Sequence, residues 1–112
     1  MINRIFKNVC VTGAGSGIGK AIAIAMSNQG YNVTCADINL KQANETLEII
    51  LNSNGSGNSI ETDVTKINDI ENMILKTVKQ FGTIDILVNN AGVTRTSNIM
   101  DLTEKDWDWI HN

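Results

Sequence analysis

Short apolar runs alternate along the chain with longer stretches in which apolar residues recur at every third or fourth position. The short runs predict β-strands, and the longer stretches predict amphipathic helices. The predicted strands cover residues 8–12, 32–36, 59–62 and 84–88. The predicted helices cover residues 18–28 and 40–52, a third runs from just after Thr65 to about Phe81, and a last one opens at Thr103. This alternation is typical of an α/β fold with a parallel sheet.

The same pattern predicts which side chains are buried. The expected buried face of the first helix consists of Ile18, Ala21, Ile22, Ala25 and Met26. The expected buried stripe of the third helix consists of Ile67, Ile70, Met73, Ile74, Val78 and Phe81. Residues 52–58 are polar and glycine-rich, which predicts a surface loop. The nearly continuous apolar run over 84–88 predicts a strand that is covered on both faces, in the middle of the sheet.

A run of glycines separates the first predicted strand from the first predicted helix. Gly13 permits a tight turn out of the strand, Gly17 allows backbone to approach a phosphate, and Gly19 allows the helix to pack closely on the sheet. A helix N-terminus after such a turn presents free backbone N–H groups and the positive end of the helix dipole. The run therefore predicts an anion site that suits a pyrophosphate. The alternative is that small residues merely make a sharp turn here.

Composition and charge narrow the classes of function. The 112 residues are 42% apolar and 19% charged, with a formal net charge of −3. These values are typical of a soluble globular domain, and no apolar run is long enough to cross a membrane. The acidic balance and the scattered lysines argue against nucleic acid as a partner. The first seven residues lack the apolar core of a signal peptide, so we expect a cytoplasmic location.

The cysteines and the histidine do not indicate a redox or metal site. Cys10 and Cys35 both fall in predicted strands, where a reduced cysteine packs as a small apolar residue. His111 is the only histidine, and no zinc-ligand spacing exists. We therefore expect neither a disulfide nor a bound metal.

Asp37 directly follows the second predicted strand and lies 18 residues beyond Gly19. An acidic side chain at about this spacing reaches the hydroxyls of an adenosine ribose and would repel a 2′-phosphate. Asp37 therefore favours NAD over NADP. Two alternatives stay open. In one, the aspartate serves only to start a turn or cap the next helix; in the other, Lys41 is near enough to accommodate NADP.

Four segments in order resemble the short-chain dehydrogenase/reductase family. They are Thr12 to Gly19 (TGAGSGIG), Asp37, Asp63-Val64, and Asn89 to Gly92 (NNAG). Three residues separate Gly13 from Gly17, as in that family, whereas the ordinary dinucleotide fingerprint has one residue in its first gap. The resemblance covers the whole chain. It implies the N-terminal part of a Rossmann-like, doubly wound parallel sheet, with about four strands and flanking helices.

The resemblance also implies roles for individual residues. The positions that line the pyrophosphate match Ser16, Gly17, Ile18 and Gly19, and Gly13 begins the same cofactor-binding turn. Asp37 matches the position that holds the adenosine ribose, and Asp63 and Val64 match the pair that binds the adenine edge. The segment that steadies the sheet and passes beneath the nicotinamide-side ribose matches Asn89, Asn90, Ala91 and Gly92. For Asp63 the alternative is a carboxylate that satisfies the dipole at a helix N-terminus, which is compatible with adenine binding. For the two asparagines turn formation is the alternative.

The catalytic residues of that family do not occur in this sequence. The resemblance implies an asparagine, a serine, and a tyrosine followed four residues later by a lysine. Tyr31 is the only tyrosine, and Cys35 rather than lysine lies four residues beyond it. We therefore assign no catalytic residue. Residues 1–112 are interpreted as the N-terminal portion of one NAD(P)-binding domain, truncated before its catalytic segment.

Two classes of function follow from this interpretation. The first is an NAD(P)-dependent oxidoreductase, with an alcohol or ketone as its small-molecule substrate, of which this chain supplies the dinucleotide-binding part. The second is a non-catalytic nucleotide-binding or sensing module. We expect the full-length protein to form a homo-oligomer. Within this chain the fourth strand would present an apolar open edge, which supports the interpretation that the chain is part of a longer protein.

Overall fold

The computed structural model describes residues 7–90, in which strands and helices alternate. Four strands and three helices occur in this part of the chain. In chain order they are β1 (Asn8–Thr12), α1 (Gly17–Asn28), β2 (Asn32–Asp37), α2 (Leu40–Asn52), β3 (Ser56–Glu61), α3 (Ile67–Phe81) and β4 (Ile86–Asn89). The predicted helix that opens at Thr103 lies outside the described residues.

The four strands form one parallel sheet in the order β3-β2-β1-β4. The chain thus proceeds outward from β1 to β3 and then crosses to the opposite side of β1. Parallel strands bring their carboxyl ends to one edge, and ligands of such sheets bind where the strand order reverses. Asn90, which directly follows β4, donates a backbone hydrogen bond to Thr12 at the end of β1 at this point. The predicted Rossmann-like α/β fold is confirmed.

Alternate strand residues point to opposite faces of the sheet. Both faces carry apolar side chains, and helices cover each of them. On one face, strand residues such as Val9, Val11 and Val33 pack with Ala23 of α1 and with Ala43 and Ile50 of α2. On the other face, Cys10 and Ala36 pack with the α3 residues Ile70, Met73 and Ile74. Both clusters are fully buried, and they fix the strand ends that carry the polar residues described below.

β3 begins earlier than the sequence predicts. Its first residue is Ser56 rather than Ser59, so the glycine-rich segment expected to be a loop contributes half of a strand. The register pairs Ser56 with Asn32 and Asn58 with Thr34. Backbone hydrogen bonds to β2 hold these residues, and such bonds do not require apolar side chains. A hydrophobic pattern therefore does not reveal this part of the strand.

The buried face of α1 only partly matches the one expected, since Ile22 and Met26 pack half-buried against the core as predicted. Gly19, Ala23 and Ser27 are buried, whereas Ile18 is 71% exposed and Ala21 and Ala25 are also exposed. Small residues on the inner face allow the helix axis to lie close to the β1 turn. The packing distance, rather than the positions of the largest apolar residues, thus decides which face is buried.

Two further expectations about burial are only partly met. In α3 the predicted stripe is buried at Ile70, Met73 and Ile74, but Ile67 is 38% exposed. The fourth strand begins at Ile86, two residues later than predicted, and its residues are half-buried. Within residues 7–90, β4 pairs with β1 alone and lies at an edge of the sheet. The predicted central position of this strand is therefore not seen in the described part of the chain.

Candidate cofactor-binding site

The turn between β1 and α1 leaves the first turn of the helix open. Gly13 and Gly17 have φ angles of +66° and +56°, a conformation that glycine adopts without strain. Ser16 is the N-cap residue, but its side chain makes no capping hydrogen bond, and α1 has no acidic residue in its first turn. Backbone N–H groups at a helix N-terminus attract anions when no side chain satisfies them. This end of α1 is chemically suited to a phosphate.

Gly19 allows α1 to press against the turn. A Cβ atom at this position would lie 2.0 Å from the Gly13 carbonyl oxygen and 2.7 Å from Nδ2 of Asn90. A Cβ at Gly17, by contrast, would have no other heavy atom within 4 Å. The two glycines therefore do different work: Gly19 permits close packing inside the protein, and Gly17 borders open space at the helix terminus.

Asp37 connects the end of β2 to the glycine turn. Its Oδ2 accepts a hydrogen bond from the Gly15 backbone N–H at 2.8 Å, and its Oδ1 accepts one from the Asn39 N–H at 2.9 Å. The side chain is 9% exposed. The next helix is capped by Asn39, whose side chain accepts from the Gln42 N–H at 3.1 Å. Asp37 thus faces the glycine turn, and it also starts the turn into α2.

The turn is also held by a residue that the sequence analysis did not identify. Thr46, which is fully buried in α2, donates a hydrogen bond from its hydroxyl to the Ala14 carbonyl oxygen at 2.8 Å. The Ala14 N–H donates to the Ala36 carbonyl oxygen at 3.0 Å. A threonine in the middle of a helix carries no motif signal, and 32 residues separate it from its partner. Only the three-dimensional packing identifies it.

Asn89 and Asn90 join the end of β4 to the end of β1. The Thr12 hydroxyl donates to Oδ1 of Asn89 at 3.2 Å and accepts from the Asn90 N–H at 3.0 Å. The Asn90 side chain lies beside Gly19, as the 2.7 Å distance to its projected Cβ shows. The structure therefore brings both asparagines to the β1 turn. Ala91 and Gly92, which were predicted to belong to the same site, lie outside the described residues.

Asp63 lies in the turn after β3. Its Oδ1 accepts from the Thr65 hydroxyl at 2.6 Å and from the Thr65 N–H at 3.0 Å, and these bonds hold the pKa of Asp63 below its ordinary value. Asp69, in the first turn of α3, accepts from the Asp63 N–H at 2.9 Å. Val64 is half-buried beside it. Asp63 is therefore a charged carboxylate within a local turn, and no described contact joins it to Asp37.

Two other groups of polar residues have structural roles. Asp85 accepts from the backbone N–H groups of Lys7 and Asn8 at 3.0 Å each and from Thr83, and the Lys7 bond contributes most to the lowering of its pKa. Asp85 is therefore a hydrogen-bond partner at the amino end of the sheet. Cys10 and Cys35 are free and buried, and burial raises their thiol pKa to about 11 and about 12. They behave as small core residues, as predicted.

Comparison with known proteins agrees with this geometry. A family model for short chain dehydrogenases matches residues 7–112. The chain belongs to the short-chain dehydrogenase family. It is 44% identical over 102 residues to an uncharacterized oxidoreductase of Thermotoga maritima, and this alignment covers 91% of the chain but 40% of that protein.

Solved structures of short-chain dehydrogenases have the same fold. A 7α-hydroxysteroid dehydrogenase complexed with NADH and 7-oxo glycochenodeoxycholic acid matches at 36% identity and a TM-score of 0.76, covering 82% of this chain and 38% of that one. An actinorhodin polyketide ketoreductase with NADPH matches at 30% identity and a TM-score of 0.74, covering 82% and 35%. The chain therefore spans about two fifths of the length of the relatives that it matches; for the Thermotoga protein this share is 40%.

Members of the short-chain dehydrogenase family bind nicotinamide cofactors. The described residues fit such a cofactor at two points. The open N-terminus of α1 offers backbone donors for a pyrophosphate, and Asp37 offers a nearby carboxylate. A carboxylate has about four acceptor sites, so the two backbone bonds of Asp37 leave capacity for ribose hydroxyls. Among residues 7–90, no helix is long and apolar enough to cross a membrane, and no group of three potential metal ligands occurs.

Proposed function

We propose that this chain is the dinucleotide-binding part of an NAD-dependent oxidoreductase that interconverts an alcohol and a ketone. The observation that carries the proposal is the open first turn of α1 beside the Asp37 carboxylate, at the carboxyl edge of a parallel sheet. Residues 1–112 would form the N-terminal portion of a single domain, with the catalytic residues elsewhere in the protein. One relative is a dehydrogenase complexed with a 7-oxo compound and another is a ketoreductase, which supports a carbonyl compound as the substrate.

The proposal gives each end of the cofactor a set of residues. The pyrophosphate would be bound at the α1 N-terminus by the segment from Gly13 to Gly19, with Ser16, Gly17 and Ile18 at the opening. Asp37 would accept hydrogen bonds from the adenosine ribose. The adenine edge is assigned to Asp63 and Val64. The loop after β4, from Asn89 to Gly92, is assigned to the nicotinamide-side ribose.

The chemistry of the reaction comes from the nicotinamide ring, which donates or accepts a hydride when the cofactor is bound. The residues of this chain bind and orient the cofactor. The hydrogen bonds that join Asn89 and Asn90 to Thr12 fix the end of β4 relative to the end of β1, next to the α1 N-terminus. A fixed distance between these two anchors would hold the cofactor in one orientation, which is a major part of how enzymes lower activation barriers.

We propose NAD rather than NADP as the preferred cofactor. The family alone does not decide this point, because one matched relative was solved with NADH and the other with NADPH. Asp37 supports NAD because its negative charge lies against the glycine turn, where an added 2′-phosphate would experience charge repulsion. Lys41 is exposed in the first turn of α2, and no described hydrogen bond brings it to Asp37.

The test is a titration of the purified protein with NADH and with NADPH, in which binding is measured by the change in cofactor fluorescence. We expect NADH to bind more tightly. Asp37→Ala should weaken NADH binding by about 1.5–3 kcal/mol, since charge-assisted hydrogen bonds are lost, and should reduce the discrimination against NADPH. Asp85→Ala is the matched control, because it also removes a carboxylate that accepts two backbone N–H groups, but at the opposite end of the sheet. Equal affinity of the wild-type protein for both cofactors would contradict the role of Asp37, and binding of neither would contradict the proposed function.

The proposal also covers the location of the protein and its assembly. The free, buried state of Cys10 and Cys35 suits a reducing compartment, so we propose a cytoplasmic location. Assembly into a homo-oligomer stays a prediction, which size-exclusion chromatography with light scattering would test.

A further inference from the structure

A single peptide unit of the glycine turn is held at both ends by side chains from other elements. This unit joins Ala14 to Gly15. Its carbonyl oxygen accepts from the Thr46 hydroxyl at 2.8 Å, and its N–H donates to Oδ2 of Asp37 at 2.8 Å. Both hydrogen bonds are buried. The C=O and N–H groups of a trans peptide point in opposite directions, so two such bonds fix the orientation of the whole plane.

Without these bonds, this peptide would rotate more easily. Gly15 lacks a side chain, so the φ torsion on its side of the peptide is only weakly restricted. Residue 15 must be glycine, because a Cβ atom at this position would lie 2.6 Å from the Gln42 Cβ and 2.9 Å from Oδ2 of Asp37. Rotation of the peptide would turn its N–H away from Asp37. The carboxylate would then lose the bond that directs it toward the turn.

From this geometry we infer that Thr46 is a positioning residue for cofactor binding and for NAD selectivity. Thr46 is fully buried in α2 and does not line the open N-terminus of α1. It acts by holding the Ala14 carbonyl oxygen, which keeps the adjoining N–H on Asp37 and the carboxylate in place. Because the inference concerns how the cofactor is held, it rests on the proposed function.

Loss of the Thr46 hydroxyl should therefore have a specific effect. The Ala14 residue is fully buried, and a buried carbonyl without a partner is costly, so the peptide would rotate to find another donor. In Thr46→Val, which keeps the volume of the side chain, we expect the Kd for NADH to rise about fivefold to tenfold. The preference for NADH over NADPH should fall as well, since Asp37 is no longer fixed. Thr46→Ser retains the hydroxyl and should restore both values.

Thr77→Val is the matched control. Thr77 is also fully buried in a helix, and its hydroxyl bonds to the Met73 carbonyl oxygen at 2.9 Å and to the Thr34 hydroxyl at 2.8 Å. It lies on the α3 side of the sheet, away from the glycine turn. This variant should lose a similar amount of stability in urea, while its NADH affinity and its cofactor preference stay at the wild-type values.

The outcomes separate this inference from the proposed function. If the wild-type protein binds neither NADH nor NADPH, the proposed function fails and the inference fails with it. If the wild type binds NADH and Thr46→Val binds it equally well with unchanged preference, the inference alone is overturned. It is also overturned if Thr77→Val weakens binding as much, or if Thr46→Ser does not restore it. Should the valine variant not fold, Thr46→Cys supplies a weaker donor, and an unchanged NADH preference there would be decisive against the inference.

Discussion

Replacement of Gly19 with alanine should destabilise the protein far more than the same replacement at Gly17. The projected Cβ of residue 19 lies 2.0 Å from the Gly13 carbonyl oxygen, whereas real Cβ contacts essentially never fall below 3.0 Å. The clashing atom is backbone in a tight turn, so α1 or the turn must shift by about 1 Å in a close-packed region. Forced overpacking that shifts backbone typically costs about 1–3 kcal/mol and occasionally more, and a 2.0 Å contact with a backbone atom places this case at or above the upper end. The turn would move with it, and cofactor binding should be lost.

Gly17→Ala is the control for the loss of a glycine from the same turn. Its Cβ would meet no heavy atom within 4 Å, and the cost comes only from the φ of +56°. A left-handed conformation costs a non-glycine residue about 1–2 kcal/mol. Urea unfolding of the wild type and both variants measures the two free energies directly. If the Gly19→Ala protein is as stable as the Gly17→Ala protein, the close approach of α1 to the turn described here is incorrect.

Two further predictions concern pH. Burial raises the thiol pKa of Cys10 to about 11 and that of Cys35 to about 12, so both should resist a thiol reagent at pH 8 until the protein is unfolded in urea. The stability that the two buried, protonated thiols contribute is fully present below the ordinary thiol pKa of 9.0 and is lost as the pH rises towards the folded-state values. The free energy of unfolding should therefore fall between pH 9 and pH 11, and a constant value over this range would contradict the prediction. The pKa of Asp85 is lowered, so its contribution is present above the ordinary value of 3.8 and is lost as the pH falls through the folded-state value. Asp85→Asn should therefore destabilise the protein at pH 7 and reduce the loss of stability on acidification, as urea unfolding at pH 7 and pH 3 would show.

The sequence alone determined the elements that depend on local patterns. Helical spacing predicted α2 at 40–52 and the end of α3 at about Phe81. Apolar runs predicted β1 and β2 to within one residue. The strand–glycine–helix order and the motifs after the strands were sufficient to indicate the family and the fold. These features follow from hydrophobic periodicity and from the backbone freedom of glycine, which act over a few residues.

Tertiary structure decided the features that depend on contacts between distant residues. The first half of β3 exists because β2 supplies backbone partners for Ser56 to Asn58, not because of its own side chains. The buried face of α1 is the one that carries Gly19, since close approach to the β1 turn outweighs the burial of a larger residue such as Ile18. The double clamp on the Ala14–Gly15 peptide joins residues 22 and 32 positions apart. Local periodicity has no information about such contacts, because they form only when the sheet and its helices are assembled.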